Sequence, residues 1–131
     1  MSEGGRLGRI EDRNAIHDLL MTYCYRIAAA DIEAVLDLFE EDAVVEILGD
    51  RYEGWEGLRT LYAASLPVEP KPFLHNLLVE SLEEARARTR AVFEIRQKRD
   101  GQPDSSIGCY EDEFLKREGR WRFHRRVFRF Y

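Results

Sequence analysis

Two stretches near the C-terminus organise the rest of the chain: Ile107-Gly-Cys-Tyr-Glu-Asp-Glu-Phe-Leu-Lys-Arg117 and Trp121-Arg-Phe-His-Arg-Arg-Val-Phe-Arg-Phe-Tyr131. Both are rich in aromatic and β-branched residues, which favour a pleated, half-buried strand surface. The connection between them, Glu118-Gly119-Arg120, contains a glycine and is short enough to close a hairpin. We therefore predict two long antiparallel strands joined by a three-residue loop.

The pairing across this hairpin depends on the loop length. A three-residue loop matches acids with arginines and apolar residues with phenylalanines: Asp112 with Arg126, Glu113 with Arg125, Tyr110 with Phe128, and Leu115 with Phe123. A two-residue loop would shift the pairing by one and put Glu111 opposite Arg126. Matched cross-strand pairs fix register, so the three-residue loop is the prediction.

Length and charge limit the class of protein. A chain of 131 residues forms one domain with a real core. A net charge of −5 disfavours a nucleic-acid partner, for which a basic domain is expected. The start of the chain has no apolar signal segment and no stretch approaches ~20 apolar residues, which predicts no membrane partner and a soluble, cytoplasmic protein. Cys24 and Cys109 are predicted to be free thiols in a reducing compartment.

The order of elements predicts an α+β fold. Residues 1–9 are expected to be a mobile tail, and residues 10–131 a single domain. Helical spacing of apolar residues begins at Ile10, a second helix follows Asp31 as its N-cap, and a third begins near Trp55 and ends at Pro67. Strands are predicted over 43–48, 73–82 and 85–98, before the hairpin. Helices grouped on one side of an antiparallel sheet leave space for a deep apolar pocket.

Strict alternation along the last strand predicts an interface. Successive residues of a strand point to opposite faces. One face would then carry Trp121, Phe123, Val127 and Tyr131, and the other Phe128 and Phe130 with Arg122, His124 and Arg126. Because only one face can meet the helices, we expect the outer face of the sheet to form a homodimer.

Several blocks of the chain resemble the SnoaL-like group of the nuclear transport factor 2-like superfamily. They are Ile16–Tyr23, Asp31–Val45, Leu74–Glu80, Tyr110–Phe114 and Gly119–Arg126. The resemblance implies a cone-shaped α+β barrel with N-terminal helices on a strongly curved, mostly antiparallel sheet, and commonly a dimer. Members include ketosteroid isomerases, scytalone and bile-acid dehydratases, polyketide cyclases and dioxygenase β subunits.

The resemblance implies a cofactor-independent lyase or isomerase acting on an apolar, polyoxygenated small molecule of the steroid, terpene or polyketide kind. The dehydratase-type members pair a histidine with an aspartate, but the aspartate position falls at Ala28. The histidine position, four residues before Asn76, falls at Pro72. His75 is then the best candidate base, and its strand face with Phe73 is predicted to point inward. A core histidine hydrogen-bonded to the backbone or to Tyr23 is the alternative interpretation. Two alternatives stay open: a binding protein without the dyad, and an assembly subunit.

The other candidate site residues are mainly aromatic. Tyr23 is the second catalytic candidate, because its hydroxyl could hold a substrate oxygen, although a tyrosine on a buried helix stripe is also a normal core residue. The candidates for substrate binding are Tyr25, Trp55, Phe39, Tyr110, Phe128 and Arg126. Core packing is the alternative role for the aromatic residues, and a cross-strand ion pair with Asp112 is the alternative role for Arg126. We expect no metal and no cofactor, since the histidines and cysteines lack ligand spacing and no phosphate loop is present.

Overall fold

Three helices cover one face of a six-stranded sheet in this computed structural model, which describes residues 2–131. The helices are α1 (Glu3–Ala28), α2 (Ile32–Leu36) and α3 (Gly54–Ser65), and a 3-10 turn spans Leu66–Val68. The strands are β1 (Phe39–Ile47), β2 (Asp50–Glu53), β3 (Lys71–Leu82), β4 (Arg86–Arg99), β5 (Gln102–Arg117) and β6 (Arg120–Phe130).

The sheet is open and runs in the order β2-β1-β6-β5-β4-β3. Its neighbours are antiparallel except for β1 and β6, which are parallel. The predicted α+β class, with helices on a curved and mostly antiparallel sheet, is confirmed. The space between the helices and the inner face of the sheet holds the core and the site described below.

The start of helix α1 and the presence of strand β2 differ from the predictions. Helix α1 begins at Glu3, seven residues before Ile10, because the Ser2 side chain accepts a hydrogen bond from the Gly5 N–H (3.0 Å) and caps it. The mobility predicted for residues 1–9 stays a prediction. Strand β2 was not among the predicted strands, since four residues are too few to show a period. Asp31 caps α2 as predicted, accepting from the Ala34 N–H (3.2 Å).

The C-terminal hairpin has the loop of two residues but, beyond a bulge, the strand pairing predicted for a loop of three. Arg117 pairs with Arg120, so the loop has two residues, Glu118 and Gly119, both with positive φ (52° and 75°). The predicted pairs Asp112–Arg126, Glu113–Arg125 and Tyr110–Phe128 are nevertheless confirmed. The Leu115–Phe123 pair is wrong: Phe114 lies opposite Phe123. A bulge that adds one residue to β6 near His124 restores the predicted register beyond it.

This bulge also changes which face each β6 side chain occupies. Trp121 and Phe123 are 5% and 0% exposed, on the same inner face as Arg126 and Phe128. The predicted separation of Trp121 and Phe123 from Phe128 was therefore wrong. Strict alternation holds only while a strand has no extra residue.

A second bulge lies in β3 and reverses the prediction for His75. His75 pairs with Val92, but Leu78 pairs with Arg90, so β3 has one residue more than β4 in this interval. Asn76 there has a φ of 47°. Before the bulge, Pro72 and Leu74 are the more buried residues and His75 is exposed. The predicted inward direction of His75 was wrong.

Two further expectations concern the cysteines and the helices. Cys24 is half-buried and Cys109 is buried, and both are free thiols as predicted. Within residues 2–131, no helix combines the length and the apolar character needed to span a membrane.

Candidate functional site

An apolar cavity of about 380 Å³ lies between α1, α3 and the inner face of the sheet. Aliphatic and aromatic side chains supply most of its wall, among them Ile27, Ile47, Leu61, Ile95 and Phe128. The polar side chains are three tyrosines, Ser65 at the end of α3, and a separate group from the ends of β4 and β5 with Gln97, Arg99 and Ser106. An apolar wall with a few convergent polar groups is the usual character of a small-molecule site.

Two tyrosine hydroxyls meet at the cavity wall. Tyr23 lies on the buried face of α1, and Tyr62 on the buried face of α3; they are 2% and 5% exposed. Their oxygen atoms are 3.0 Å apart. Each hydroxyl carries one hydrogen, so when one donates to the other, a single hydrogen is left for a ligand acceptor.

A buried ion pair supports this part of the cavity from beneath. Arg126 donates from Nε and Nη2 to the two carboxylate oxygens of Asp112 (2.7 and 2.8 Å), and neither side chain is exposed at all. The guanidinium carbon lies 3.6 Å from the ring centre of Tyr110 and 4.3 Å from that of Tyr23. Nη1 makes no hydrogen bond to the described residues, and contact with these aromatic faces partly compensates for this.

The three tyrosines near Arg126 are neutral donors at neutral pH. Burial raises the pKa of Tyr23, and raises the pKa values of Tyr62 and Tyr110 well above the ordinary value for tyrosine. The positive charge of Arg126 opposes this rise without cancelling it. The site can therefore donate hydrogen bonds to a ligand oxygen, but these side chains do not serve as bases near pH 7.

The raised pKa values predict a loss of stability at alkaline pH. The folded pKa of each of the three tyrosines lies above its unfolded value near 10, so the unfolded chain releases protons that the folded chain keeps. Their stabilising contribution is complete below about pH 10 and is lost as the pH rises. Between pH 10 and its raised folded pKa, each tyrosine should lower the free energy of unfolding by about 1.4 kcal/mol per pH unit.

Urea denaturation between about pH 8 and pH 12 measures this slope. In Tyr62→Phe, the free energy of unfolding should fall less steeply with pH, by the contribution of one tyrosine. Tyr25→Phe is the matched control, because Tyr25 is 79% exposed. Equal slopes for wild type and Tyr62→Phe would contradict the prediction.

The structure brings four of the predicted site residues together. Tyr23, Tyr110 and Phe128 line the cavity. Arg126 lies behind Tyr110 and Tyr23, in contact with both rings, and does not itself line the cavity. Phe39 lies deeper in the core, stacked on Phe123 with ring centres 4.8 Å apart, and does not line the cavity.

Three other predicted site residues lie elsewhere. Trp55 donates its indole N–H to the carbonyl oxygen of Phe39 (3.0 Å) and lines a different surface pocket. Tyr25 is exposed. The His75 side chain is 46% exposed, and its Nε2 lies 3.2 Å from a carboxylate oxygen of Glu94.

The positions that the resemblance assigns to an acid–base pair hold no such pair. Pro72, at the histidine position, lines the cavity. Ala28, at the aspartate position, lines a surface groove between α1 and β3 together with Tyr25 and His75. Among the described residues that line the cavity, there is no carboxylate and no imidazole.

Sequence reasoning missed Tyr62 and Arg99 as site residues. Tyr62 follows Leu58 by four residues on a predicted amphipathic helix, and this spacing placed it on the buried face. That signal was available. Arg99 carried none, because the end of β4 reaches the cavity only through the curvature of the sheet.

Comparison with solved structures finds close matches along almost the whole chain. A Novosphingobium aromaticivorans protein named "putative aromatic ring hydroxylase" is 31% identical, with a TM-score of 0.85, over 92% of this chain and 90% of that one. A Mycobacterium tuberculosis protein of unknown function is 23% identical, with a TM-score of 0.88, over 100% and 77%. A hexachlorocyclohexane dehydrochlorinase (LinA type 2) is 22% identical, with a TM-score of 0.87, over 95% and 88%.

Comparison with families and with curated proteins completes the assignment. No curated protein matches the sequence significantly. The SnoaL-like domain family matches residues 8–127, which include all the helices but the first turns of α1 and nearly the whole sheet. The chain is therefore a member of the SnoaL-like domain family.

Proposed function

We propose that this protein binds an apolar small molecule with an oxygen acceptor in the inner cavity, held by the Tyr23 and Tyr62 hydroxyls. The observation that carries the proposal is a pair of neutral, buried hydroxyls 3.0 Å apart in the wall of a mostly apolar cavity. A buried donor gains most from a ligand that accepts its hydrogen bond, so ligands without an oxygen are disfavoured.

A lyase or isomerase reaction in the same cavity is the second candidate function. The observation that favours it is the Arg126 charge, 4.3 Å from the Tyr23 ring, which would stabilise negative charge developing on a bound carbonyl oxygen. Such reactions also need a group that removes a proton, and the described lining residues include neither a carboxylate nor an imidazole. We therefore rank binding first.

Product formation separates the two candidates. A β-hydroxy ketone of suitable size, 4-hydroxy-4-(2-naphthyl)-2-butanone, loses water to give a conjugated enone that absorbs at longer wavelength. Formation of the enone above the rate without protein would support the lyase. Binding of the ketone without turnover would support the binding protein.

Removal of both hydroxyls should weaken the binding of a carbonyl ligand. For 2-acetylnaphthalene, Tyr23→Phe/Tyr62→Phe should raise the Kd about 3- to 10-fold, the effect of losing one net hydrogen bond. Titration calorimetry measures this change. 2-Ethylnaphthalene has the same apolar body without the carbonyl oxygen, so its Kd should stay within about twofold.

Tyr25→Phe is the matched control, because it removes a hydroxyl from the same helix on its exposed side. Its Kd for 2-acetylnaphthalene should equal that of wild type. An equal loss of affinity for both naphthalenes in the double variant would mean that the hydroxyl pair does not anchor the ligand.

We also propose that the outer face of the sheet forms a homodimer, as expected from the sequence but through different residues. Phe73, Ile107 and Tyr131 are 47%, 52% and 76% exposed, and lie in register across β3, β5 and the end of β6. Leu78, 58% exposed, belongs to the same outer face. Exposed apolar groups of this extent are typical of an interface.

Sedimentation equilibrium at micromolar concentration tests the dimer. The expected mass is about twice the 15.4 kDa of one chain. Ile107→Glu should shift the equilibrium to the monomer by placing a charge within the interface. A monomeric wild type would contradict the proposal, and would favour a subunit that assembles with a different chain.

A further inference from the structure

We propose that the ligand of the inner cavity is an anion, an apolar acid whose acid group pairs with Arg99 at the cavity mouth. This inference rests on the proposed binding function and names the chemical class of its ligand. The acid would lie on the β4–β5 side of the cavity, and the oxygen acceptor at the tyrosine pair.

Charge is the first argument. Of the described residues that line the cavity, Arg99 alone has a formal charge at neutral pH; the others are apolar, hydroxyl or amide side chains. The cavity therefore has a positive group although the net charge of the whole chain is −5. This positive group at one edge of a mostly apolar cavity favours one negative group on the ligand, since charge complementarity selects the partner.

The hydrogen bonds of Arg99 are the second argument. Its Nε donates to a carboxylate oxygen of Asp104 (3.0 Å), and Gln97 donates to the same oxygen (3.0 Å). Within the described residues, the two terminal amino groups of Arg99 form no hydrogen bond. Asp104 thus positions the side chain through one donor and leaves the outer edge of the guanidinium free, where a carboxylate pairs well.

The negative charge of Asp104 does not prevent Arg99 from pairing with an acid group of the ligand. Hydrogen bonds from Gln97 and Arg99 lower the pKa of Asp104, so its carboxylate is charged at neutral pH. Because Gln97 shares that carboxylate oxygen, part of the negative charge is already engaged by an amide. Ser106, near Gln97 and on the cavity wall, adds a hydroxyl to this polar rim.

The separation of the polar groups is the third argument. One set is the tyrosine pair on α1 and α3; the other is the rim at the ends of β4 and β5. Apolar side chains such as Ile95, Ile47 and Phe128 line the cavity as well. A ligand with an apolar body and oxygens at two positions satisfies both sets at once.

Two fluorescent probes with the same body test the inference. 8-Anilino-1-naphthalenesulfonate carries a sulfonate, and N-phenyl-1-naphthylamine lacks it. Arg99→Gln should raise the Kd of the sulfonate probe about 5- to 30-fold, less than the loss of a buried charge-assisted hydrogen bond would, because Arg99 is 63% exposed. The Kd of the neutral probe should not change, and Arg99→Lys should recover much of the affinity for the sulfonate.

Arg96→Gln is the matched control. Arg96 lies on the same strand and also donates from Nε to an acid, Glu94 (3.2 Å), but it does not line the cavity. The side chains of Arg96 and Arg99 are 69% and 63% exposed, so both variants remove one surface charge. Equal loss of sulfonate binding in the two variants would overturn the inference, as would an unchanged Kd in Arg99→Gln.

The neutral probe shows which proposal has failed. Ser65→Trp places a large side chain at the cavity wall, so it should block binding of N-phenyl-1-naphthylamine. If it does, and Arg99→Gln has no effect on the sulfonate probe, only the preference for an acid is wrong. If the neutral probe binds equally well to Ser65→Trp, the cavity is not the binding site and the proposed function itself is wrong.

Discussion

Arg126→Met should lower the free energy of unfolding by about 3–5 kcal/mol, because it leaves the Asp112 carboxylate buried without its partner. For a domain of this size, the melting temperature should fall by roughly 10–20 °C. Burial raises the pKa of Asp112, and Arg126 opposes that rise. Without Arg126, the folded variant should favour protonated Asp112, so its stability should decrease as the pH rises from about 4 to 7.

The neighbouring arginine provides the control for this prediction. Arg125 points to the outer face, is 43% exposed, and pairs with Glu46 and Glu113. Arg125→Met should cost no more than about 1 kcal/mol, because exposed ion pairs contribute little. Combining Asp112→Leu with Arg126→Met should recover most of the loss, since both buried charges are then gone. If Arg125→Met and Arg126→Met lowered the free energy of unfolding equally in urea denaturation, the buried position of Arg126 would be contradicted.

Phe123→Ala should lower the free energy of unfolding by about 3–5 kcal/mol, the usual effect of removing a buried phenylalanine. Phe123 is 0% exposed; its ring stacks on Phe39 at 4.8 Å and packs against Phe114 at 4.9 Å. Phe130 is on the same strand but is 37% exposed. Phe130→Ala should therefore cost less than about 1.5 kcal/mol.

This pair of variants tests the β6 bulge directly. Without the extra residue near His124, Phe123 would lie on the outer face, opposite to Arg126 and Phe128. Its replacement would then cost about as much as a surface change, within about 0.5 kcal/mol. Thermal unfolding of Phe123→Ala and Phe130→Ala in one buffer distinguishes the two arrangements.

Local patterns were sufficient to predict the α+β class and the C-terminal hairpin. The charges along the hairpin predicted the Asp112–Arg126 and Glu113–Arg125 pairs, and helical spacing placed Tyr23 on the buried face of α1. These features depend on residues near one another in the sequence or on pairs with opposite charge. They are encoded locally, so sequence patterns detect them.

The bulges at Asn76 in β3 and at His124 in β6 explain most of what could not be predicted. Each adds one residue, and one residue is enough to reverse the face of every side chain beyond it. In β3 the signal was weak but present, since an asparagine such as Asn76 adopts positive φ more readily than most residues. In β6 the residues near His124 gave no such signal. His75 and Phe123 were therefore assigned to the wrong faces.

The cavity was only partly predictable for a different reason. Tyr110 and Phe128 were found because they are cross-strand partners in the hairpin. Tyr62 comes from α3, 39 residues beyond Tyr23, and Arg99 from the far end of β4. Helical spacing predicts that Tyr62 is buried, but its approach to Tyr23, and that of Arg99 to the same cavity, depend on how distant elements pack, which no local pattern records.

A crystal structure of the protein with 2-acetylnaphthalene would show whether the tyrosine pair binds a ligand oxygen. We expect the naphthalene rings to lie in the inner cavity among Ile27, Ile95 and Phe128, with the carbonyl oxygen about 2.6–3.2 Å from the hydroxyl of Tyr23 or Tyr62. A ligand seated in the groove beside His75, with the inner cavity empty, would contradict the account.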